Sequence, residues 1–146
     1  MSSQLKMLKR IQKARERMRD VAASEVALAE QERLRCDAER IENEEERRSI
    51  VEQAATTLGR ARGISDLEMV TIDMAGADEL VVEASKRLHK ASVARGLAAQ
   101  ELRAKERAVR LSEELVSRSK EKIRKAADKA EQAMIDDIVA SRWSKR

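Results

Sequence analysis

The chain has no proline, no phenylalanine and no tyrosine, and only one tryptophan, one histidine, one cysteine and four glycines. Without proline, nothing in the sequence breaks a helix from within. Without aromatic bulk, there is little to fill a wide three-dimensional interior. A lone cysteine excludes an intramolecular disulfide and a cysteine-based zinc site, and it fits a reducing compartment. No stretch approaches the ~18 apolar residues of a membrane span. The start, Met1-Ser2-Ser3, turns basic and amphipathic without the apolar stretch of a secretory signal. An Arg-rich mitochondrial presequence is the alternative reading of that start, but the helical pattern runs straight on past it.

What the chain does have is charge, 40% of all residues, with Ala, Glu, Lys, Arg and Leu dominant, the mark of long helices and coiled coils. Disorder is the competing reading of so much charge, and regular apolar spacing argues against it. The net charge of +4 hides a segregated pattern. Residues 1–19 carry seven basic side chains against Glu16 alone, whereas residues 20–59 hold eleven acids against five arginines. Residues 117–146 turn basic again. Basic ends and an acidic middle imply polarity along the molecule, not a uniform nucleic-acid surface.

The apolar spacing is helical. From Leu67, steps of three and four run through Val70, Met74, Ala77, Val81, Ala84, Leu88 and Ala91, and on to Ile123 and Ala133, without a slip. That is a coiled-coil seam, and its many alanines imply close helix approach and a thin core. The first half is less regular. Ile11, Ala14, Met18, Val21 and Leu28 keep one register, Leu34, Ala38 and Ile41 sit one residue off it, and Ile50, Ala54, Thr57, Ala61 and Ile64 resume a regular spacing. This predicts a register shift near Glu30–Leu34.

Gly59 and Gly63 mark a break, and Ser65-Asp66-Leu67-Glu68 has the Ser-x-x-Glu form of a capping box. Gly76 is a second soft spot that would kink the following helix. The expected fold is all-α: one domain over 1–146, a long antiparallel two-helix coiled-coil hairpin. Helix one covers about 3–58, the turn about 59–65 and helix two about 66–142. At 1.5 Å per residue the helices are roughly 80 and 115 Å long. The last stretch of helix two then projects past helix one or packs on its end. A monomer is expected, with pairing of helix two to its copy in a second chain as the rival.

Chemistry is hard to place on this sequence. His89 and Cys36 stand apart, each a plain seam-edge side chain. Glu44-Glu45-Glu46 point about 100° apart on a helix and cannot converge on one ion. There is no phosphate loop, no acid–base pair and no water-excluding pocket, so no catalysis, metal or cofactor is expected. The basic ends could hold phosphates, but the aromatic stacking that single-strand recognition adds is missing. Residues 4–19 carry Leu5, Leu8, Ile11 and Met18 on a basic helix, which reads either as a membrane-surface element or, more simply, as the start of the seam. Trp143, flanked by Arg142 and Lys145, reads as a contact anchor for a partner or as a staple onto helix one.

The Gly63-Ile64-Ser65 turn, the basic N-terminus and the tail Met134-Ile135-Asp136-Asp137-Ile138-Val139-Ala140-Ser141-Arg142 together resemble the export-stalk proteins of bacterial type III secretion, of the flagellar FliJ and injectisome YscO type. The absence of aromatics around the turn departs from the flagellar form and leans toward the injectisome branch. The resemblance implies a non-catalytic cytoplasmic stalk, peripheral to the inner-membrane export apparatus. It implies that Lys6, Lys9, Arg10, Lys13, Arg142, Trp143, Lys145 and Arg146 face a hexameric export ATPase. Leu67, Val70 and Met74 near the turn would lie toward the cytosolic ring of the export gate, and export chaperones are further partners. A generic coiled-coil adaptor or export chaperone is the alternative function.

Overall fold

The structure, a computed structural model, describes residues 2–60 and 63–144. Two α-helices account for nearly all of it, α1 over Ser3–Arg60 and α2 over Ile64–Ser144, packed against each other as an antiparallel hairpin. Ala61, Arg62, Lys145 and Arg146, all within the sequence expectations, lie outside the described residues.

α1 starts at a side-chain cap. The backbone N–H of Leu5 donates to Ser2 Oγ at 3.3 Å, and the N–H of Lys6 to the Ser2 carbonyl at 3.4 Å. Such a cap contributes about 1 kcal/mol. The helix then runs unbroken to Arg60, so Gly59, expected in the turn, lies inside it. α2 begins at Ile64, which places Ser65 in the first turn and not at the cap position that a Ser65–Glu68 capping box requires. Gly63 forms the bend ahead of it. No described glycine has a positive φ, so Gly63 is not the left-handed stop that its spacing from Gly59 suggests. α2 passes through Gly76 without a break.

The α2 seam follows the expected register. Val70, Ala77, Ala84, Ala91, Val109, Ser112 and Val116 are buried, with Val81, Leu88, Ala98, Leu102, Lys105 and Ser119 half-buried between them. The α1 seam follows its expected register only at Ile50 and Ala54. Leu5, Leu8, Gln12, Arg15, Arg19, Ala22, Val26, Ala29, Arg33, Cys36, Arg40, Asn43, Ile50 and Ala54 are withdrawn from solvent, in alternating steps of three and four broken only at exposed Arg47. Ile11, Met18, Val21, Leu28, Leu34 and Ile41 are exposed instead. The register shift near Glu30–Leu34 is therefore absent. The reason is that arginine stems pack along an apolar seam while their heads reach solvent or a partner.

By packing, the chain divides into Met1–Val21 with Arg103–Arg146, and Ala22–Leu102. In the first unit, Leu5, Val109 and Val116 form the core. Across it, Arg15 donates to Ser112 Oγ at 2.7 Å and to the Ala108 carbonyl at 3.3 Å. In the second, small side chains dominate: Ala22, Cys36, Ala54, Ala77, Ala84 and Ala91 are buried, Ala84 completely. Ion pairs join the helices there. Arg95 meets Glu30, Arg47 meets Asp78 at 2.6 Å, and Arg87 lies 3.6 Å from Glu39 Oε2. That oxygen is buried and accepts no hydrogen bond, so the Arg87 contact is electrostatic only.

Candidate docking surfaces

Three surfaces gather the residues singled out in the sequence. The first is the end of α2. Every described residue from Lys120 to Ser144 is exposed, so α2 continues without α1 beside it. Local bonds sustain the helix: Arg124 to Glu121 at 2.5 Å, Gln132 to Asp136 at 3.1 Å, and Ser144 Oγ to the Ser141 carbonyl at 3.0 Å. Met134, Ile135, Ile138 and Val139 share one face of this segment by helical spacing, and Asp136 and Asp137 point away from it. All four apolar side chains are about half exposed or more, and Trp143 is 77% exposed. Trp143 therefore does not staple the C-terminus to α1.

The second surface is the back of α1. Lys6, Lys13, Lys9 and Arg10 occupy adjoining outer positions of the heptad and make one basic arc, with Lys9 half-buried and the others exposed. The Arg15–Ser112 contact fixes the register. It sets this arc level with residues 114–121 of α2, so that Lys6 stands at the start of the unpaired segment. Arg142 and Trp143 lie some twenty residues farther on, about 30 Å along the helix. Lys6, Lys9, Arg10 and Lys13 thus lie apart from Arg142, with Lys120, Lys122, Arg124, Lys125 and Lys129 on the helix between them.

The third surface lies near the turn. Val70 is buried in the seam, while Leu67 and Met74 are partly exposed. More apolar area is offered by Ile64, Met69 and Ile72, each exposed by more than 60% and none on the seam. Ile64, expected to continue the α1 run, is exposed instead, and Met69 and Ile72 had no place in the expected seam. Apolar residues out of register with a clear seam are the signal that marks such positions.

Little on these surfaces supports bond chemistry. Among the described residues no three of His, Cys, Asp and Glu come together as a metal site. Glu44 is held by Arg40 at 2.8 Å, and the same guanidinium reaches Asp37 at 2.9 Å. Burial pushes the Cys36 thiol above its ordinary range, and a weak bond to Glu32 Oε1 at 3.6 Å acts the same way, so the thiol stays protonated. Glu30 and Glu32 are shifted the other way, chiefly by hydrogen bonds from Arg33 and Arg35. No described helix is long and apolar enough to cross a membrane.

The family model described as "Flagellar FliJ protein" matches residues 4–146. No curated protein and no solved structure matches the chain. The matching model is the flagellar one, so the lean toward the injectisome branch taken from the turn's lack of aromatics does not hold.

Proposed function

The chain belongs to the FliJ family of flagellar export proteins, and we propose that it is the non-catalytic stalk that links a hexameric export ATPase to the export gate. The observation that carries this reading is the unpaired end of α2. A helix that leaves its partner and continues with exposed Met134, Ile135, Ile138, Val139 and Trp143 has apolar surface whose natural use is insertion into another protein. In this reading the tail enters the ATPase ring. The basic arc of Lys6, Lys9, Arg10 and Lys13 steers its approach to an acidic rim. Arg142, Trp143, Lys145 and Arg146 make the terminal contact. At the other end, Leu67 and Met74, joined by Ile64, Met69 and Ile72, face the gate, with Val70 holding the helix pair together beneath them. Such a protein is cytoplasmic and peripheral to the export apparatus, and it works as a monomer.

The test is the mass of the complex by light scattering, with the full chain and a chain ending before Met134 each mixed with the cognate ATPase. A monomer that joins the ATPase only with its tail supports the stalk. A stable dimer that ignores the ATPase sinks it and leaves a coiled-coil adaptor.

A further inference from the structure

The exposed apolar side chains of α1 make a surface of their own. Within the unit formed by residues 1–21 and 103–146, the two flanks of the helix pair differ in chemistry. With Arg15 on Ser112, Ile11 falls across from Leu115, and Met18 across from Ala108. Met7 and Val21 lie just outside on α1, and Leu111 on α2. All of these large side chains are between 37% and 59% exposed. A groove between the helices opens on this flank, lined by Gln4, Leu8, Leu115, Arg118, Ser119 and Lys122. The opposite flank is polar: its hollow is lined by Arg19, Glu106, Val109, Arg110 and Glu113.

We propose that the apolar flank is a docking groove for a third helix, supplied by a partner protein as an amphipathic helix with acidic edges. The length fits. The groove opens at Gln4 and Leu8, and the apolar flank continues from it to Val21; Met7 to Val21 spans about 21 Å, room for about four turns of a partner packed along the flank. The charge selects the partner. Arg10 and Arg17 stand on the α1 rim, and Arg107 and Lys122 on the α2 side, all exposed. The acids among them are neutralised locally: Glu114 is paired with Arg118 at 2.7 Å and Glu121 with Arg124 at 2.5 Å. A second copy docking by a two-fold axis would set this basic rim against itself. A lipid surface takes apolar side chains from a convex helix face, whereas Leu8 and Leu115 line a groove that receives a ridge. The inference does not depend on the stalk reading's tail contact, and of the basic arc in that reading it uses Arg10 alone.

The experiment uses the full chain and a labelled synthetic helix of about 14 residues, with Leu on one face and Glu on both edges, followed by fluorescence anisotropy. A second peptide carries Lys in place of every Glu. The Glu peptide should bind saturably, one to one, and more weakly as salt rises. The Lys peptide should bind at least about tenfold more weakly, and Met18→Glu with Leu115→Glu should lower affinity for the Glu peptide by about tenfold or more. Helicity by circular dichroism and monomer mass should not change. If the double variant loses helicity, Met7→Ser with Leu111→Ser replaces it. Equal binding of both peptides, no binding, or unchanged affinity in the folded variants overturns the proposal. So does a dimer of the unmodified chain that the same substitutions dissociate, which would name a second copy as the occupant. Binding to phosphatidylglycerol vesicles that these substitutions abolish, without peptide binding, would name a lipid surface instead.

Discussion

Glycine and alanine decide opposite things here. Gly76 and Gly96 sit inside α2 with nothing within 4 Å of where a Cβ would stand. Neither is needed for close approach, so each costs the helix backbone freedom and returns no packing. Gly76→Ala and Gly96→Ala should each raise stability by about 1 kcal/mol, read from denaturant melts. Ala84 is the reverse case. It is completely buried on the seam, so its size sets how closely the helices approach. Ala84→Leu should destabilise by about 1–3 kcal/mol in the same assay. The alanine seam of α2 could be read from sequence because small residues at regular spacing have no other use. The seam of α1 could not. At Arg15, Arg19, Arg33 and Arg40 the polar head disguises a buried stem, while Ile11, Met18 and Val21 repeat a competing pattern on an open face. Apolarity alone chose the wrong one of two stripes.

Within the helix pair, polar contacts fix register where apolar volume is scarce. Arg15 spans from α1 to Ser112 and the Ala108 carbonyl, so the pair stays satisfied only together. Arg15→Ala strips the partner and should cost about 1 kcal/mol, whereas Arg15→Leu combined with Ser112→Val replaces both ends by apolar groups and should recover or exceed the original stability. A double variant as weak as the single one would show that the contact itself, not the unmet hydroxyl, matters. In residues 22–102 the coupling is ionic. Glu30 accepts from Arg33 at 2.7 Å and also meets Arg95 on α2. Its carboxyl is held below the ordinary value near 4.5, first by the Arg33 hydrogen bond. The stabilisation is therefore present above that value and is lost as pH falls through the lowered one. Melting temperatures should drop on acidification below about pH 4.5, and Glu30→Gln should shrink that drop. The turn was less legible at this scale. A Ser-x-x-Glu pattern survives at Ser65–Glu68 although the helix begins one residue earlier, at Ile64, since a short polar side chain is tolerated in a first turn as well as at a cap.

At the scale of the whole molecule, the tail separates folding from function. The basic and apolar residues after Ala133 were legible as a motif, but their exposure was not, because sequence spacing could not say whether α2 outran α1 or folded onto its end. Every described residue from Lys120 onward is exposed, so the described part of the tail contributes helix but no burial against α1. A chain ending at Ala133 should therefore melt within about 0.5 kcal/mol of the full chain. Its helical signal should fall only in proportion to length, and it should remain a monomer. If the tail is the part that enters the ATPase ring, that same truncated chain should lose ATPase binding entirely while keeping its stability, a split that a merely destabilising deletion could not produce. A large loss of stability on truncation would instead mean that the tail packs on the hairpin in solution, and the apolar face of Met134, Ile135, Ile138 and Val139 would then belong to the fold and not to a partner.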